Sequence, residues 1–224
     1  KYLDPQPNEN FIDATFGEGG HALAILEKTK PNGKVLGIEI DPEIYREAKN
    51  KLSIINDQLS NRLILVNDSY TNLEKIIKEQ NFKPIHGILF DLGMCSWHLE
   101  ESGRGFSFKK EEFLDMRYNP NTQTVTAYEI VNRFPQTEIE KILKEFGEEK
   151  FARQIARQIV VTREKKPIKT TFDLVEVIKA SVPLWYKRRR IHFATKTFQA
   201  LRIAVNQELE NIKCALEQSM RALE

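Results

Sequence analysis

The stretch HGILFDLGMCSWHL, residues 86–99, indicates where this chain places its chemistry. Residues 88–90 form a short apolar run that is typical of a buried strand, and Asp91 and Gly93 follow it directly. In an open α/β sheet, ligands bind at the carboxyl ends of the strands. A carboxylate that leaves an apolar strand also needs partners, because burying it alone is costly. We therefore expect Asp91 to lie beside the reacting atoms of an enzyme site.

Three earlier strands, each followed by a helix, are predicted at residues 11–14, 35–40 and 63–66. The first strand ends in the glycine turn TFGEGGH, residues 15–21, and glycine lets a backbone approach a ligand closely. The turn is not GxGxxG and no Lys-Ser/Thr follows it, which argues against a nucleoside-triphosphate loop. Four strand–helix units with buried strands predict an α/β fold with a parallel, doubly wound sheet.

Polar side chains follow the second and third predicted strands. Glu39 and Asp41 come after the glycine turn at the spacing where an acid commonly binds ribose hydroxyls. Asp41 precedes Pro42, a usual helix start, so Glu39 is the favoured ribose ligand and Asp41 the alternative. Tyr70 either borders a flat base or only packs on the following helix, predicted at 71–80.

From residue 100 the strand pattern gives way to a loop-like segment and then to helices. Helices are predicted at 126–133, 137–146 (with Thr137 and Glu140 as its capping box), 148–163, 171–181 and, as one long run, 193–224. This block predicts an inserted helical domain rather than more sheet. We expect a first domain from residues 1–99 and 192–224, and an inserted helical domain from residues 100–191.

The basic residues are concentrated in one part of the chain. The formal net charge is +2, yet residues 151–202 carry 13 Lys and Arg against 3 Asp and Glu. Residues 185–190, WYKRRR, set two aromatic side chains beside four cations, a combination that holds single-stranded RNA through stacking and phosphate contacts. The alternative is a solvated helical face.

Composition narrows the protein class further. No apolar run approaches the roughly 20 residues of a membrane helix, and no secretory signal opens the sequence. Two distant cysteines, Cys95 and Cys214, form no zinc or disulfide pattern, which indicates a reducing, cytoplasmic environment. No metal site is expected, because the four histidines are scattered: His21, His86, His98 and His192.

Six separated motifs resemble the bacterial small-subunit ribosomal RNA (cytosine-N4)-methyltransferases, the MraW or RsmH family, which use S-adenosylmethionine. They are DATFGEGGH at 13–21, DLG at 91–93, RGFSF at 104–108, LDMR at 114–117, GEE at 147–149 with 152–160, and TKTFQALRI at 195–203 with 205–206 and 208–209. The resemblance spans nearly the whole chain. It implies a Rossmann-like class I methyltransferase that acts on 16S rRNA in the 30S particle. The family's opening and closing motifs are absent, so we expect a chain truncated at both ends, with an incomplete sheet.

The resemblance also implies a set of site residues. Those assigned to the cofactor are Gly19, Gly20 and His21 for the methionine and ribose part, Glu39 for the ribose hydroxyls, Tyr70 for the adenine, Asp91 for the methyl donor, and His98, which replaces the family's Gln. Other departures from the family pattern are Cys95 for Ser, Trp97 for Pro, Phe193 for Pro and Lys196 for Arg. Cations expected to hold RNA phosphates are Arg104, Arg117, Lys187, Arg188, Arg189, Arg190 and Arg202.

The expected chemistry centres on Asp91, which would accept a hydrogen bond from the poorly nucleophilic cytosine amine and later take its proton. A base must leave its stack to be methylated, and Trp97, Phe106 and Phe108 are candidates to stack on it. Core packing is an equally good interpretation of the two Phe residues.

Three alternatives remain. Cys95 could be the nucleophile of a C5-methylation. The chain could also be a non-catalytic RNA-binding or ribosome-assembly protein on a methyltransferase scaffold. An NAD-dependent dehydrogenase is disfavoured by the glycine turn. The sequence leaves the exact target nucleotide and the oligomeric state open, a homodimer included.

Overall fold

A computed structural model describes residues 3–54 and 61–223 of the chain. It divides the chain into two compact units, one built from residues up to Cys95 together with those from Leu209 onward, the other from Ser96–Glu208. The second unit interrupts the first in sequence, as expected of an inserted helical domain. Its limits differ from the predicted 100–191, because helix Thr195–Asn206 packs on helices of the second unit. The functional division into two domains stays a prediction.

The first unit contains a four-stranded parallel sheet in the order β3-β2-β1-β4. Its elements are β1 (Phe11–Asp13), α1 (Gly20–Lys28), β2 (Val35–Glu39), α2 (Pro42–Ile54), β3 (Leu63–Asn67), α3 (Leu73–Glu79, after a 3-10 turn Tyr70–Asn72) and β4 (Gly87–Leu89). The four predicted strands are confirmed, and the fourth, predicted at 86–91, is shorter than expected. The order reverses between β1 and β4, and such a reversal opens a ligand-binding crevice at the carboxyl edge.

Side-chain alternation along the strands builds a core on each face of the sheet. Phe11 and Val35 point to one face and pack with α1 and α2. Their neighbours Ile12 and Leu36 point to the other face and pack with α3. Because both faces are covered, the strands are apolar throughout and only their ends carry polar groups. This three-layer arrangement confirms the predicted Rossmann-like, doubly wound fold.

The predicted single helix over 193–224 is wrong. The structure has two helices, α10 (Thr195–Asn206) and α11 (Glu208–Leu223), separated by Gln207 in a left-handed conformation with φ 49°. The apolar periodicity continues across this residue, so the break has no signal in the pattern. After the break, α11 packs on the sheet unit, where the Gln218 side chain accepts from the Glu74 N–H at 2.9 Å and donates to the Thr71 carbonyl at 2.6 Å.

The second unit is helical. Before α10 it contains α4 (Ser96–Glu100), α5 (Ala127–Arg133), α6 (Gln136–Glu145), α7 (Ala152–Arg163), α8 (Thr171–Ser181) and α9 (Leu184–Lys187). Capping boxes begin α5, through Thr126 and Glu129, and α8, through Thr170 and Asp173. The predicted box at Thr137 and Glu140 is wrong, because α6 already begins at Gln136, next to a proline that sets the entry angle. Among the described helices, none is long and apolar enough to cross a membrane.

Candidate functional site

Acidic and amide side chains follow every strand of the sheet at its carboxyl edge. Asp13 ends β1, Glu39 ends β2, Asn67 ends β3, and Asp91 lies two residues beyond β4. Parallel strands bring these ends to one edge, so the first unit alone assembles a row of polar groups above an apolar sheet. Asn67 closes the row by donating from its side-chain amide to the Glu39 carbonyl at 2.7 Å.

Asp91 is the accessible carboxylate of the row. Its side chain is 69% exposed, and its Oδ2 lies 3.3 Å from His21 Nε2 at the start of α1. The Asp91 N–H donates to Thr15 Oγ1 at 2.7 Å, which joins the end of β4 to the turn after β1. An exposed ion pair of this kind contributes little to folding. Its effect is to orient a carboxylate that solvent and ligands can reach.

Asp13 is a buried carboxyl that we did not predict as a site residue. It is fully buried, and while Oδ1 accepts from the Thr15 N–H at 3.3 Å, Oδ2 has no hydrogen-bond partner in the structure. Burial raises the pKa of Asp13 to about 6; His21 opposes this rise and Asp91 adds to it. The Ala22 N–H also lowers the pKa of Asp13, although it makes no hydrogen bond of good geometry to Oδ2. A buried acceptor without a well-placed donor is costly, so a ligand's cation or proton donor would stabilise this oxygen. The signal was present in the sequence as an acid directly before the glycine turn.

The Glu39 side chain connects the end of β2 to the glycine turn through hydrogen bonds. Its Oε2 accepts from the Gly17 N–H at 2.7 Å and its Oε1 from the Asp41 N–H at 2.8 Å. Burial raises the pKa of Glu39 to about 7, although these two hydrogen bonds favour the charged form. Each carboxylate oxygen has two acceptor positions, so Glu39 retains capacity for a ligand's hydroxyl groups.

The alternative ribose ligand, Asp41, has a different task. It is fully buried, its Oδ1 accepts from the Glu43 N–H at 2.9 Å, and its carbonyl accepts from the Tyr45 N–H at 2.9 Å. These are the contacts of a helix cap at the start of α2, the role that the position of Asp41 directly before Pro42 suggests. The structure therefore favours Glu39 over Asp41 as the group that faces a ligand.

The glycine turn and Tyr70 frame the same edge. Gly19 has φ 84°, a backbone conformation that favours glycine. A Cβ built on it would also lie 2.7 Å from the Phe16 ring, too close for any side chain. A Cβ on Gly20, in contrast, would meet no atom within 4 Å, which leaves open room beside the turn. Tyr70 is half-buried and meets the Phe90 ring edge-on at 5.9 Å.

Cys95 lies beside the glycine turn, where its Cβ would be 3.8 Å from a Cβ built on Gly17. It is partly exposed and forms no disulfide. Cys95 therefore lies near the carboxyl edge, and the C5-methylation alternative stays a prediction.

In the second unit, His98 is buried within an aromatic cluster. Its ring lies 5.0 Å from both Phe106 and Tyr118 and 5.8 Å from Trp97, and the Phe106 and Tyr118 rings stack at 5.6 Å. Phe106 thus belongs to the core, while Phe108 stacks on His192 at 4.5 Å. The cofactor contact assigned to His98 stays a prediction.

Three arginines expected to hold phosphates instead make internal bonds. Arg104 is buried and donates to the carbonyls of Arg117 and Tyr118 at 2.9 and 3.0 Å. Arg117 forms a two-pronged pair with Asp115 at 2.6 and 2.8 Å, and donates to two further carbonyls. Arg202 forms a similar pair with Glu208 at 2.8 and 3.0 Å. Because these guanidinium groups are already engaged, we withdraw all three from the proposed phosphate contacts.

The remaining predicted cations lie on the surface. Lys187, the last residue of the short helix α9, is half-exposed, and Arg188, Arg189 and Arg190, which follow it, are exposed. Trp185 and Tyr186, for which the sequence predicts the same role, differ in exposure. Trp185 is 60% exposed and Tyr186 only 3%. Among the described residues, no group of three His, Cys, Asp or Glu side chains is arranged to hold a metal ion.

Comparisons with known proteins agree with this architecture. A family model described as the MraW methylase family matches residues 1–224. The ribosomal RNA small subunit methyltransferase H of Dictyoglomus thermophilum is 45% identical over 218 residues, which cover 97% of this chain and 70% of that protein. The protein of the same name from Caldicellulosiruptor saccharolyticus is 42% identical over 222 residues, covering 99% and 70%. One from Dehalococcoides mccartyi is 43% identical over 213 residues, covering 95% and 58%.

Proposed function

The chain belongs to the MraW methylase family, and from this premise we propose that it methylates small-subunit ribosomal RNA with S-adenosylmethionine, at N4 of a cytidine. The observation that carries the site assignment is the carboxyl edge of the sheet. There, Asp13, Glu39 and Asp91 line one edge beside a glycine turn. The motif resemblance, the family match and the relatives' names support the same reaction class.

The residues present fit the cofactor. S-adenosylmethionine carries an ammonium group and ribose hydroxyls, and when bound it supplies an activated methyl group. Asp13 offers a buried oxygen that lacks a donor, and we add it to the proposed contacts as the partner of the ammonium group. Glu39 would hold the ribose hydroxyls, Tyr70 would border the adenine, and Gly19, Gly20 and His21 would line the backbone side. His98 remains a proposed contact from the second unit.

Asp91 would act on the cytosine amine. The lone pair of N4 is delocalised into the ring, so the free amine is a poor nucleophile. A carboxylate that accepts a hydrogen bond from an N4 proton favours the pyramidal nitrogen that attacks, and it can take that proton afterwards. His21 and Thr15 hold Asp91 in place for this task, at 3.3 Å and 2.7 Å. Positioning is the protein's main contribution, because the methyl group is already reactive.

The surface cations Lys187, Arg188, Arg189 and Arg190 would hold phosphates of the RNA, which implies salt-sensitive binding. We propose the 30S particle as the natural substrate and the cytoplasm as the place of action. A homodimer is a further proposal that sedimentation can test.

The direct test is methyl transfer from labelled S-adenosylmethionine to naked 16S rRNA and to 30S particles, followed by mass spectrometry of the nucleosides. N4-methylcytidine that disappears in Asp91→Asn is the expected product. 5-Methylcytidine would move the chemistry to Cys95. RNA binding with no methylated nucleoside and no affinity for the cofactor would contradict the enzyme assignment and favour a binding protein on this scaffold.

A further inference from the structure

Residues 184–191 expose large apolar side chains and cations side by side. Leu184 and Trp185 are each 60% exposed and Ile191 is 58% exposed, and the four basic residues lie between them. Large apolar side chains gathered on a surface mark an interaction site more often than isolated ones do. We call this segment, Leu184 to Ile191, the basic–aromatic ridge.

Tyr186 anchors the ridge from beneath. It is buried, and its hydroxyl lies 2.9 and 2.8 Å from the two carboxylate oxygens of Glu149, one of which accepts its proton. Burial, together with the Glu149 carboxylate, raises the pKa of Tyr186 to about 12, so it remains a donor. Glu149 is buried as well and also accepts from the Phe151 N–H at 3.0 Å. These bonds fix the short helix α9 and thereby the direction of its exposed neighbours.

Trp185 presents an open ring face. Its nearest aromatic neighbours are Phe151, tilted by 59° at 5.8 Å, and Tyr186, edge-on at 5.7 Å. Neither ring is parallel to the indole, so in the part of the chain that the structure describes no aromatic ring stacks on it. A largely exposed indole that no parallel ring covers is the kind of side chain on which nucleobases stack.

The charge around this indole is uniformly positive along the chain. No Asp or Glu occurs between Glu176 and Glu208, while Lys187 to Arg190 are consecutive cations. Arg189 also lies over the Tyr186 ring, 5.2 Å from its centre, which directs it back toward the anchor. Contiguous cations beside an exposed aromatic ring match the phosphates and bases of an extended nucleic-acid strand.

We propose that the basic–aromatic ridge binds a single-stranded segment of ribosomal RNA, with Trp185 stacking on an unpaired base and the cations holding the adjacent phosphates. The inference rests on the proposed function only for the identity of the RNA. A duplex is the poorer partner, because its bases are already stacked and their faces are covered. A membrane surface is also the poorer partner, because α9 has four residues and offers no amphipathic helical face.

The test compares binding of one unstructured single-stranded oligoribonucleotide and its duplex, by fluorescence anisotropy with the full chain. Trp185→Ala should weaken single-strand binding roughly ten-fold or more, because stacking is lost, and Trp185→Phe should stay within roughly three-fold of the wild type. Duplex binding should change little in either variant. Phe172→Ala is the matched control, since Phe172 is an exposed aromatic residue, 43% accessible, on the separate helix α8.

Two further readings separate stacking from loss of structure. RNA should quench tryptophan emission more strongly in the wild type than in Trp185→Phe, which still binds but whose remaining emission comes from Trp97. Tyr186→Phe, which removes only the anchoring hydroxyl, should reduce single-strand affinity by less than Trp185→Ala does. In this variant the fluorescence anisotropy of Trp185 should fall, because the indole becomes more mobile.

Three results would overturn the proposal. The first is equal single-strand affinity in wild type and Trp185→Ala, and the second is an equal loss for the duplex. The third is tight binding to anionic phospholipid vesicles combined with no preference for single-stranded RNA. Methyl transfer is measured separately on the same variants. If Trp185→Ala binds single-stranded RNA and forms N4-methylcytidine as the wild type does, the ridge proposal is refuted and the proposed function stands.

Discussion

Buried charge is treated in opposite ways in the two units of the chain. In the sheet unit, Asp13 and Glu39 are buried carboxyls, and among the residues that the structure describes no basic side chain lies within hydrogen-bond distance of either. Burial raises the pKa of both, to about 6 and about 7. In the helical unit, the half-buried Arg117 and Arg202 each meet a carboxylate through two hydrogen bonds. The pKa of Arg117 is raised by Asp115, and that of Arg202, against the lowering effect of burial, by Tyr118 and then Glu208.

The comparison distinguishes side chains that remain available to a ligand from side chains that stabilise the fold. A buried charge without a partner costs stability, so its presence is explained when a ligand supplies the missing charge or donor. A charge that already pairs with an opposite charge inside the same unit is explained by the fold alone. Both kinds of residue belong to motifs that resemble the family, so membership in a motif does not by itself distinguish them.

The largest effect should follow from Asp91→Asn. The amide cannot take the proton of the cytosine amine, so we expect the rate of methyl transfer to fall by about 100-fold or more, with cofactor binding little changed. Initial rates with saturating RNA measure this, and Glu79→Gln, an exposed acid at the end of α3, serves as control. Full activity of Asp91→Asn would remove Asp91 from the chemistry and leave the carboxyl edge as a binding site only.

Arg202→Met should act on stability instead. It leaves Glu208 buried without its guanidinium partner, which should lower the free energy of unfolding by roughly 3 kcal/mol. RNA affinity, measured below the unfolding transition, should match that of the wild type. Arg221→Met breaks an equally short but exposed pair with Glu74, and should leave stability nearly unchanged. Normal stability of Arg202→Met with weakened RNA binding would restore Arg202 as a phosphate contact.

Glu39→Gln tests the pH dependence of the ligand-free chain. The folded pKa of about 7 lies above the ordinary value of 4.5, so proton binding favours the folded state. That stabilisation is complete below about pH 4.5 and is lost as the pH rises to about 7; Asp13 contributes with the same sign up to about pH 6. Urea unfolding at several pH values should show a weaker fall in Glu39→Gln, together with roughly ten-fold weaker cofactor binding. An unchanged pH profile would mean that Glu39 does not titrate in this range.

Cys95→Ser should have the smallest effect. The thiol lies near the glycine turn, but the proposed chemistry uses no cysteine, so nucleoside analysis should show the same N4-methylcytidine at a similar rate. Loss of the product, or 5-methylcytidine in the wild type, would return the C5 mechanism to consideration.

The sequence was sufficient to predict the sheet and two of the three acids at its edge. Strand periodicity and the turn residues are local features, and parallel pairing then brings Glu39 and Asp91 to one edge. It was not sufficient for the arginines, although their carboxylate partners are close in sequence: Asp115 lies two residues from Arg117 and Glu208 six residues from Arg202. These pairs depend on a fold that remote contacts hold, since Asn206 accepts from the Tyr118 N–H and donates to the Met116 carbonyl across about 90 residues. The left-handed Gln207 and the contrast between exposed Trp185 and buried Tyr186 likewise depend on packing that no local pattern encodes.

The measurement that tests the central claim most directly is made on Asp13→Asn at pH 8, where the wild-type carboxyl is ionised. Calorimetric titration with S-adenosylmethionine and thermal unfolding of the ligand-free protein are recorded together. We expect roughly ten-fold weaker binding and an unfolding temperature at least as high as that of the wild type, because the substitution removes an unpaired buried charge. Unchanged affinity with a lower unfolding temperature would show that Asp13 holds the fold and not the cofactor, and would contradict the distinction drawn between the two units.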